Sequence, residues 1–198
     1  MRLPYNDCAA TGIICRCRAG APPAIFRSLN TIETERLILR EYTQQDAPAF
    51  FALNSDPQVM RYVPDEPMVS VEQAREILRS HPITDYKERG FGRFACILKA
   101  TGEHIGFSGL KYLKEINDVD LGFRFVPSQW GKGLATEAAL ASIRYGFDEL
   151  KLDRIVGLAE TENRGSIRVL EKTGMQFVQM VRLFSRSMAK YVIERDHD

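Results

Sequence analysis

The sequence has little of what a metal centre needs. Its three histidines lie far apart, at positions 81, 104 and 197. Cys8, Cys15 and Cys17 do not form the two ligand pairs of a closed zinc site. Cys96 stands in an apolar run and is interpreted as a small core residue. We therefore expect no metal, and because nothing in the cysteine pattern requires disulfides, we expect a reducing cytoplasm as the location.

Long apolar runs and an excess of charge of one sign are also missing. No apolar run approaches the roughly 20 residues that a membrane-spanning helix needs. The formal net charge is only +1, so charge gives no reason to expect binding to nucleic acid or to a membrane surface. The length of 198 residues suits one domain with a substantial hydrophobic core.

The first thirty residues differ from the rest. They hold three of the four cysteines, a Pro22-Pro23 pair and small residues without clear periodicity. The segment lacks the amphipathic, serine-rich pattern of a transit peptide and the apolar run of a signal peptide. We expect a disordered extension, or a start codon assigned too far upstream, followed by a single domain over residues 31–198.

From Thr31 onward the pattern predicts an α+β domain. Strands are predicted over residues 35–41, 92–99, 104–113, 119–126, 154–159, 176–184 and 188–194. Helices are predicted after the capping boxes at 43–46 and 70–73, and over residues 134–150 and 166–172. Asp56-Pro57 would end or interrupt the first helix, and Gly174 would follow the last one. Short turns join the three middle strands, which predicts an antiparallel meander.

Residues 127–137 (PSQWGKGLATE) carry the clearest chemical motif. Gly131 and Gly133 stand between a predicted strand and a long predicted helix, where they allow a tight turn and leave backbone amides open to a ligand. The first amides of a helix lack internal partners and lie at the positive end of its dipole. With Lys132 as an added cation, the pattern predicts a phosphate site, and a plain tight turn is the alternative.

Two common nucleotide motifs do not fit this loop. A Walker loop needs Ser or Thr directly after its lysine, and Gly133 follows Lys132 here. A dinucleotide-binding fingerprint needs a third glycine, which the residues after Gly133 do not supply. The loop therefore predicts a phosphate ligand of another kind.

Five segments together resemble the GNAT N-acetyltransferase superfamily. They are residues 34–40 (TERLILR), 55–60 (SDPQVM), 121–123 (LGF), 130–137 (WGKGLATE) and 163–172 (NRGSIRVLEK). In this order they are most similar to the branch with the ribosomal-protein alanine N-acetyltransferases, the Rim-type enzymes. The resemblance covers nearly all of residues 32–194. It implies a mixed, largely antiparallel twisted sheet flanked by helices.

The resemblance also implies an activity and a donor site. The chain would move an acetyl group from acetyl-CoA to a primary amine, a protein N-terminus or a small amine, by direct attack in a ternary complex. Loop amides would hold the CoA pyrophosphate, at Gly131, Lys132, Gly133, Leu134, Ala135 and Thr136. Phe125 and Val126 would bind the pantetheine arm through their backbone, where their strand splays from the next one. Asn163 would contact the pantetheine or the substrate end of this slot.

The resemblance offers two catalytic candidates. Asp120 would take the proton of the attacking ammonium or anchor a water relay, and a solvated acid beside a turn is the alternative. Ser166 would protonate the leaving thiolate, and a plain first-turn serine is the alternative. Cys96, Tyr112 and His104 are further candidates for that second role, although we expect His104 at the surface.

The acceptor is less well defined by the sequence. Arg124 stands where this branch often has an aromatic residue. A cation there would favour an acidic acceptor, but we expect a solvated arginine. Asp65-Glu66 would attract a cationic amine, or would be ordinary loop charge. The partner expected is thus an amine, with no nucleic acid or membrane, and the subunit is a monomer or a homodimer. The alternative function is a non-catalytic acyl-CoA-binding regulatory module.

Overall fold

Eight strands in the described residues, 31–195, form one sheet in this computed structural model. In chain order they are β1 (Thr31–Glu33), β2 (Leu37–Arg40), β3 (Arg93–Leu98), β4 (His104–Leu113), β5 (Asp118–Phe125), β6 (Arg154–Glu160), β7 (Gln176–Leu183) and β8 (Arg186–Glu194). Their order in the sheet is β1-β2-β3-β4-β5-β6-β8-β7. The predictions for residues 1–30 lie outside the described residues.

Six α-helices accompany this sheet within the same residues. They are α1 (Ala47–Ser55), α2 (Pro57–Met60), α3 (Val71–Ser80), α4 (Pro82–Arg89), α5 (Leu134–Asp148) and α6 (Arg164–Lys172). The mixed sheet flanked by helices confirms the predicted α+β class.

Helices α1 and α5 cover opposite faces of the sheet. On β4, Ser108 lies within hydrogen-bond distance of Ser142 of α5, at 3.0 Å. Its neighbour Phe107 stands across from Arg124 of β5, which donates a hydrogen bond to Asn54 of α1. Because adjacent residues of a strand point to opposite faces, the two helices pack on different sides. We call the face toward α1 the front face.

Most strand pairs are antiparallel, and the exception shapes the molecule. Strands β3, β4 and β5 form the predicted meander, with β4 and β5 paired from Gly106–Phe125 to Leu113–Asp118. Strand β6 is parallel to β5 and pairs with it only at Asp120–Val156. Beyond Asp120 the two strands separate, as the resemblance implied. A V-shaped slot therefore opens toward the carboxyl end of β5.

An ion cluster closes the other end of the slot. Asp118, at the start of β5, is buried. Its carboxylate accepts hydrogen bonds from Arg154 Nε of β6 at 2.8 Å and from Lys190 Nζ of β8 at 2.9 Å. One side chain thus ties β5 to β6 and to β8. The strands are held together here and are free to diverge farther along.

Three short elements in this part of the chain, β1, α2 and α4, were not predicted. The strand expected over residues 35–41 is present as β2, and the unpredicted β1 precedes it because the Thr34 N–H donates to the Leu37 carbonyl and turns the chain between the two strands. Asp56-Pro57 ends α1 but also begins α2, since the Asp56 carboxylate caps the amide of Gln58 at 2.8 Å. Helix α4 was missed, although Pro82 at its first position is a usual start signal.

The described residues contain neither a membrane-spanning helix nor a metal-binding cluster. No helix there combines the length and the apolar character needed to cross a bilayer. No group of three or more histidine, cysteine, aspartate or glutamate side chains among these residues is arranged to hold a metal ion.

Replacing Asp118 with asparagine should destabilise the fold in a pH-dependent way. Burial alone would raise the pKa of Asp118, but hydrogen bonds from Arg154 and Lys190 outweigh it and hold the pKa below its usual value. Because the folded pKa is the lower one, the ionised carboxylate stabilises the fold above about pH 4, and this contribution is lost as the pH falls through the folded pKa. We expect a loss of about 1–3 kcal/mol near neutral pH.

Urea denaturation of both proteins at a series of pH values measures this difference. The gap between wild type and Asp118→Asn should be constant at neutral pH and should shrink on acidification. A gap that widens on acidification would contradict the assigned role of the cluster.

Candidate active site

The loop between β5 and α5 has the backbone conformation that its glycines predict. Gly131 and Gly133 have φ values of 75° and 79°, in the left-handed region. A Cβ added at Gly131 would meet nothing within 4 Å, so the space above the loop is open. Side chains rarely adopt this conformation, which explains why glycine stands at both positions.

The backbone amides of this loop have no hydrogen-bond acceptor among residues 31–195. Within residues 31–195, none of the amides from Gly131 to Thr136 donates to another residue. The next amide along the chain, that of Glu137, donates to the Gly133 carbonyl at 3.0 Å. Helix α5 begins after Gly133, which supplies no side-chain cap. Free amides at the positive end of a 15-residue helix form a favourable anion site.

A glutamate of α5 holds the loop against the start of the sheet. The Glu137 carboxylate accepts hydrogen bonds from the Thr34 hydroxyl at 2.6 Å, the Arg36 backbone N–H at 2.8 Å and the Arg36 Nε at 2.6 Å. Arg36 Nη1 also donates to the Lys132 carbonyl at 2.9 Å. Burial alone would raise the pKa of Glu137, but these bonds outweigh it and lower the pKa. We call Thr34, Arg36 and Glu137 the loop clamp.

The end of β5 supplies the adjoining wall of the slot. The Val126 amide donates to Ile105 of the meander at 3.0 Å, and its carbonyl accepts from Gln129 at 3.0 Å. Both backbone groups of Val126 are thus occupied. By alternation along the strand, Phe123 and Phe125 turn their backbone toward β6 and the slot. The Trp130 indole N–H donates to the Phe125 carbonyl at 2.7 Å and ties the loop to the slot.

A cleft of about 1510 Å³ brings most of the predicted residues together. The predicted site residues in its wall are Asp120, Phe125, Gly131, Gly133, Leu134, Ala135, Thr136, Asn163 and Ser166. Val126 and Lys132 are not part of this lining, and Lys132 Nζ instead lies 3.1 Å from Gln129 Oε1. The cleft continues on the front face, between the sheet and α1 to α4.

Asn163 and Ser166 lie at the start of α6, across the slot from the loop. The helix begins at Arg164, two residues earlier than predicted, and Asn163 is its N-cap. The side-chain Oδ1 of Asn163 accepts a hydrogen bond from the Ser166 N–H at 3.0 Å. Ser166 is therefore a first-turn serine whose hydroxyl has no hydrogen-bond partner among the described residues. The Asn163 side-chain amide likewise keeps its donors free there.

Asp120 lies at the point where β5 and β6 separate, and it is not the solvated acid of the alternative interpretation. The residue is buried, and its carboxylate accepts from Arg93 Nη2 at 2.8 Å and from the backbone N–H of Leu158. Burial raises the pKa of Asp120, and the Arg93 charge opposes this shift without cancelling it. A carboxylate with a raised pKa is a better proton acceptor for an amine than an ordinary one.

The other thiolate-acid candidates lie in different surroundings. Cys96 is fully buried, and burial raises the pKa of its thiol far above the usual value. His104 was expected at the surface but is half-buried, and its Nε2 lies 2.9 Å from the Tyr42 hydroxyl. Burial lowers the pKa of His104 to about 4. Tyr112 donates its hydroxyl to Asn117 at 2.6 Å.

Comparison with known proteins identifies the family of this fold. Residues 36–176 match the model of an acetyltransferase (GNAT) domain. The chain belongs to the GNAT family. This GNAT protein is therefore an N-acetyltransferase, and the family takes its acetyl group from acetyl-CoA.

Three similar proteins show how closely this chain resembles other acetyltransferases. An uncharacterized N-acetyltransferase, p20 of Bacillus licheniformis, is 34% identical over 166 residues, which are 83% of this chain and 92% of p20. Spermidine N(1)-acetyltransferase of Escherichia coli strain K12 is 32% identical over 140 residues, 69% of this chain and 70% of the enzyme. The crystal structure of a GNAT-family acetyltransferase from Bacillus anthracis has a TM-score of 0.71 and 30% identity, covering 83% of this chain and 98% of that one.

The geometry of this GNAT site suits the donor that the family uses. CoA carries a pyrophosphate and a pantetheine arm with amide groups. The open space above Gly131 and the free amides of the loop fit the pyrophosphate, since a Cβ at Gly131 would project into that space. The slot between β5 and β6 offers unpaired strand edges, which suit the amides of an extended arm.

Sequence reasoning missed three features of the site. The loop clamp joins two motifs that the sequence does show, but nothing in a single sequence indicates that they meet. Arg93, the partner of Asp120, lies at the start of β3 and carried no signal. Arg124 was expected to be solvated, whereas its guanidinium contacts Asn54 and Met60 inside the cleft.

Weakening the loop clamp should weaken CoA binding. In Glu137→Gln the side chain keeps its size but loses the charge that binds Arg36 and presents an NH2 group to a donor. We expect the loop to lose its fixed conformation and the Kd for CoA to rise by about tenfold, which corresponds to about 1.4 kcal/mol. Isothermal titration calorimetry with CoA measures this change.

Glu76→Gln is the matched control for this clamp variant. Glu76 pairs with Arg79 at 2.6 Å on α3, outside the lining of the cleft. It should leave the Kd for CoA unchanged. Equal affinities in Glu137→Gln and wild type would show that the loop does not depend on the clamp.

Proposed function

We propose that this chain binds acetyl-CoA between the loop at residues 131–136 and the β5–β6 slot. It then transfers the acetyl group directly to a primary amine in the cleft. The acceptor is a small amine or a protein N-terminus. The observation that carries the proposal is the row of unused amides at the start of α5, directly beside a strand pair that opens after Asp120.

The donor is held by backbone groups for most of its length. The amides from Gly131 to Thr136 bind the pyrophosphate, and Lys132 adds a cation at the exposed side of the loop. The backbone of Phe125 binds the pantetheine arm together with Phe123, which takes the place predicted for Val126 because the Val126 backbone is occupied. The free side-chain amide of Asn163 binds the arm from the opposite wall.

Proton transfer takes place at the closed end of the slot, where β5 and β6 separate. Acetyl-CoA supplies a thioester whose carbonyl carbon is open to attack. The amine nitrogen forms a bond to that carbon while the carbon–sulfur bond breaks. Asp120 accepts the amine proton, directly or through a water molecule that it anchors. The Ser166 hydroxyl donates a proton to the departing sulfur.

The acidic loop before α3 is a candidate entry for the amine. Asp65 and Glu66 are exposed and line the cleft on the front face. Negative charge at the mouth of a cleft raises the local concentration of a cationic amine. The relative from Escherichia coli is named for spermidine, which supports an amine of low molecular weight as the acceptor.

Location and partners are proposed on the same basis. Cys96 is a buried free cysteine, which is consistent with a reducing cytoplasm. The net charge of +1 gives no basis for nucleic acid or a membrane surface as a partner. The working unit is a monomer or a homodimer, and one domain spans residues 31–198.

The variant Gly133→Asp tests the donor site. A carboxylate at this position would strain the left-handed backbone and would repel the pyrophosphate, so we expect CoA binding to be lost in calorimetry. Gly102→Asp is the matched control. Its φ is 71°, and a Cβ there would meet nothing within 4 Å, but it lies in the β3–β4 turn far from the loop.

Wild type and both variants are also assayed for thiol release with acetyl-CoA and a panel of amines. If Gly133→Asp binds CoA as tightly as Gly102→Asp does, the placement of the donor is wrong. If wild type binds CoA but releases thiol with none of the amines, the chain is a regulatory module and not the proposed enzyme.

The variant Asp120→Asn tests the proton acceptor. The pKa of Asp120 is raised, and a base must be deprotonated, so wild-type kcat should rise with pH through that raised value. In the asparagine variant kcat should no longer rise with pH and should be lower by about 100-fold or more, while CoA binding is retained. Asp118→Asn, the same change on the same face of β5, should keep the pH profile. An unaltered profile in Asp120→Asn would exclude this residue as the base.

A further inference from the structure

The floor of the cleft holds two guanidinium groups and one carboxylate. Arg93, Asp120 and Arg124 all point to the front face of the sheet, and all three line the cleft. Arg93 pairs with Asp120 at 2.8 Å. Within residues 31–195, Arg124 has no carboxylate within ion-pair distance. One positive charge on the floor is therefore left without a direct ion-pair partner, and the Asp65 carboxylate acts on it only from a greater distance.

The two arginines are close enough to act on the same ligand. The Cζ atoms of Arg93 and Arg124 lie 5.4 and 5.3 Å from the centre of the Phe107 ring. A Cβ added at Gly122 would collide with the Arg93 guanidinium, so Arg93 lies flat across β5 between Asp120 and Arg124. This arrangement places the unbalanced cation beside the proposed proton acceptor.

Arg124 is held in place by neutral partners. Its Nη1 donates to the side-chain Oδ1 of Asn54 and lies 3.5 Å from the Met60 sulfur. The Asn54 side chain is fixed in turn, since its Nδ2 donates to the Phe50 carbonyl at 2.7 Å. Burial, and then the nearby Arg93 charge, lowers the pKa of Arg124 to about 10, and the Asp65 charge opposes this shift without cancelling it. The group is therefore still a cation at neutral pH.

A buried cation without an anion is costly, and a ligand can remove that cost. A half-buried guanidinium has lost part of its hydration, and neutral partners replace it incompletely. A planar carboxylate matches the fork of an arginine and regains this energy on binding. A polycation would gain no such pairing with Arg124, and the unpaired guanidinium would repel it.

We infer that Arg124 binds a carboxylate of the acceptor, so that the acceptor is a small primary amine that also carries a carboxylate. This inference rests on the proposed function. The amine lies toward Asp120, where the strands separate, and the carboxylate lies toward Arg124, four residues along β5. Same-face residues at that spacing have Cα atoms about 13 Å apart. The long Arg124 side chain spans part of this distance. The remainder favours an acceptor in which several covalent bonds separate the amine from the carboxylate.

The test compares each amino acid with its own carboxamide. The panel contains α-amino acids and ω-amino acids of increasing chain length, their carboxamides, and the polyamine spermidine. We expect wild-type kcat/KM to be at least about tenfold higher for the best amino acid than for its carboxamide, the value of one charge-assisted contact. Spermidine should be a poorer acceptor than that amino acid.

Three variants assign this preference to Arg124. In Arg124→Gln the ratio of amino acid to carboxamide should fall to about one, while the Kd for CoA stays at the wild-type value. In Asn54→Asp an internal carboxylate would pair with Arg124, and the ratio should fall in the same way with Arg124 present. Arg61→Gln removes an exposed cation of the same cleft and should keep the ratio.

Each other outcome has a defined meaning. A wild type that prefers the carboxamides or spermidine overturns the inference but leaves the acetyltransferase proposal intact. So does an unchanged ratio in a folded Arg124→Gln or Asn54→Asp protein. If Arg124→Gln weakens CoA binding as Gly133→Asp does, Arg124 belongs to the donor site and the inference is wrong. If CoA binds and no amine is acetylated, both proposals fail together.

Discussion

The site depends first on the loop clamp, in which one carboxylate of α5 holds the glycine loop against the start of the sheet. Glu137 lies 101 residues from Arg36 in sequence, and both backbone and side chain of Arg36 donate to it. Two glycines in the left-handed region would otherwise be among the most mobile positions of the chain. Because Arg36 also donates to the Lys132 carbonyl, the clamp sets the direction in which the loop amides point. A site made of backbone groups is only as exact as the contacts that hold the backbone.

The second constraint is the separation of β5 from β6. The two parallel strands pair at one position only, and they are held together before it and separate after it. Asp118 closes the slot with two cations, and Asp120 bridges the point of separation through Arg93 and Leu158. The two aspartates lie on the same face, two residues apart, yet their pKa values shift in opposite directions. Paired cations lower that of Asp118, and burial raises that of Asp120.

Local patterns predicted the parts of the fold that local forces determine. The meander strands follow from alternation and turns, α5 follows from its apolar spacing, and Gly174 has the left-handed φ of 86° that the end of α6 requires. The left-handed conformation of the loop between β5 and α5 was predicted from Gly131 and Gly133. Strand β1 was missed because the chain between β1 and β2 turns where Thr34 and Arg36 contact Glu137, and no short segment encodes that contact.

Side-chain environments were harder to predict than the motifs. His104 and Arg124 were both expected near water, because polar residues on strands next to turns are usually exposed. Tyr42 and Asn54, which accompany them, come from segments more than sixty residues earlier in the chain. The sequence also could not distinguish a solvated Asp120 from a buried one, since that depends on Arg93 lying across Gly122.

The central claim is that unused backbone amides of one loop and one strand edge hold CoA. Amide hydrogen exchange, measured residue by residue with and without CoA, tests it most directly. The account predicts slower exchange on CoA binding at residues 131–136 and at Phe123 and Phe125, with no change at Val126, whose amide is already bonded. CoA binding that leaves exchange at residues 131–136 unchanged, and slows it elsewhere, would contradict the account.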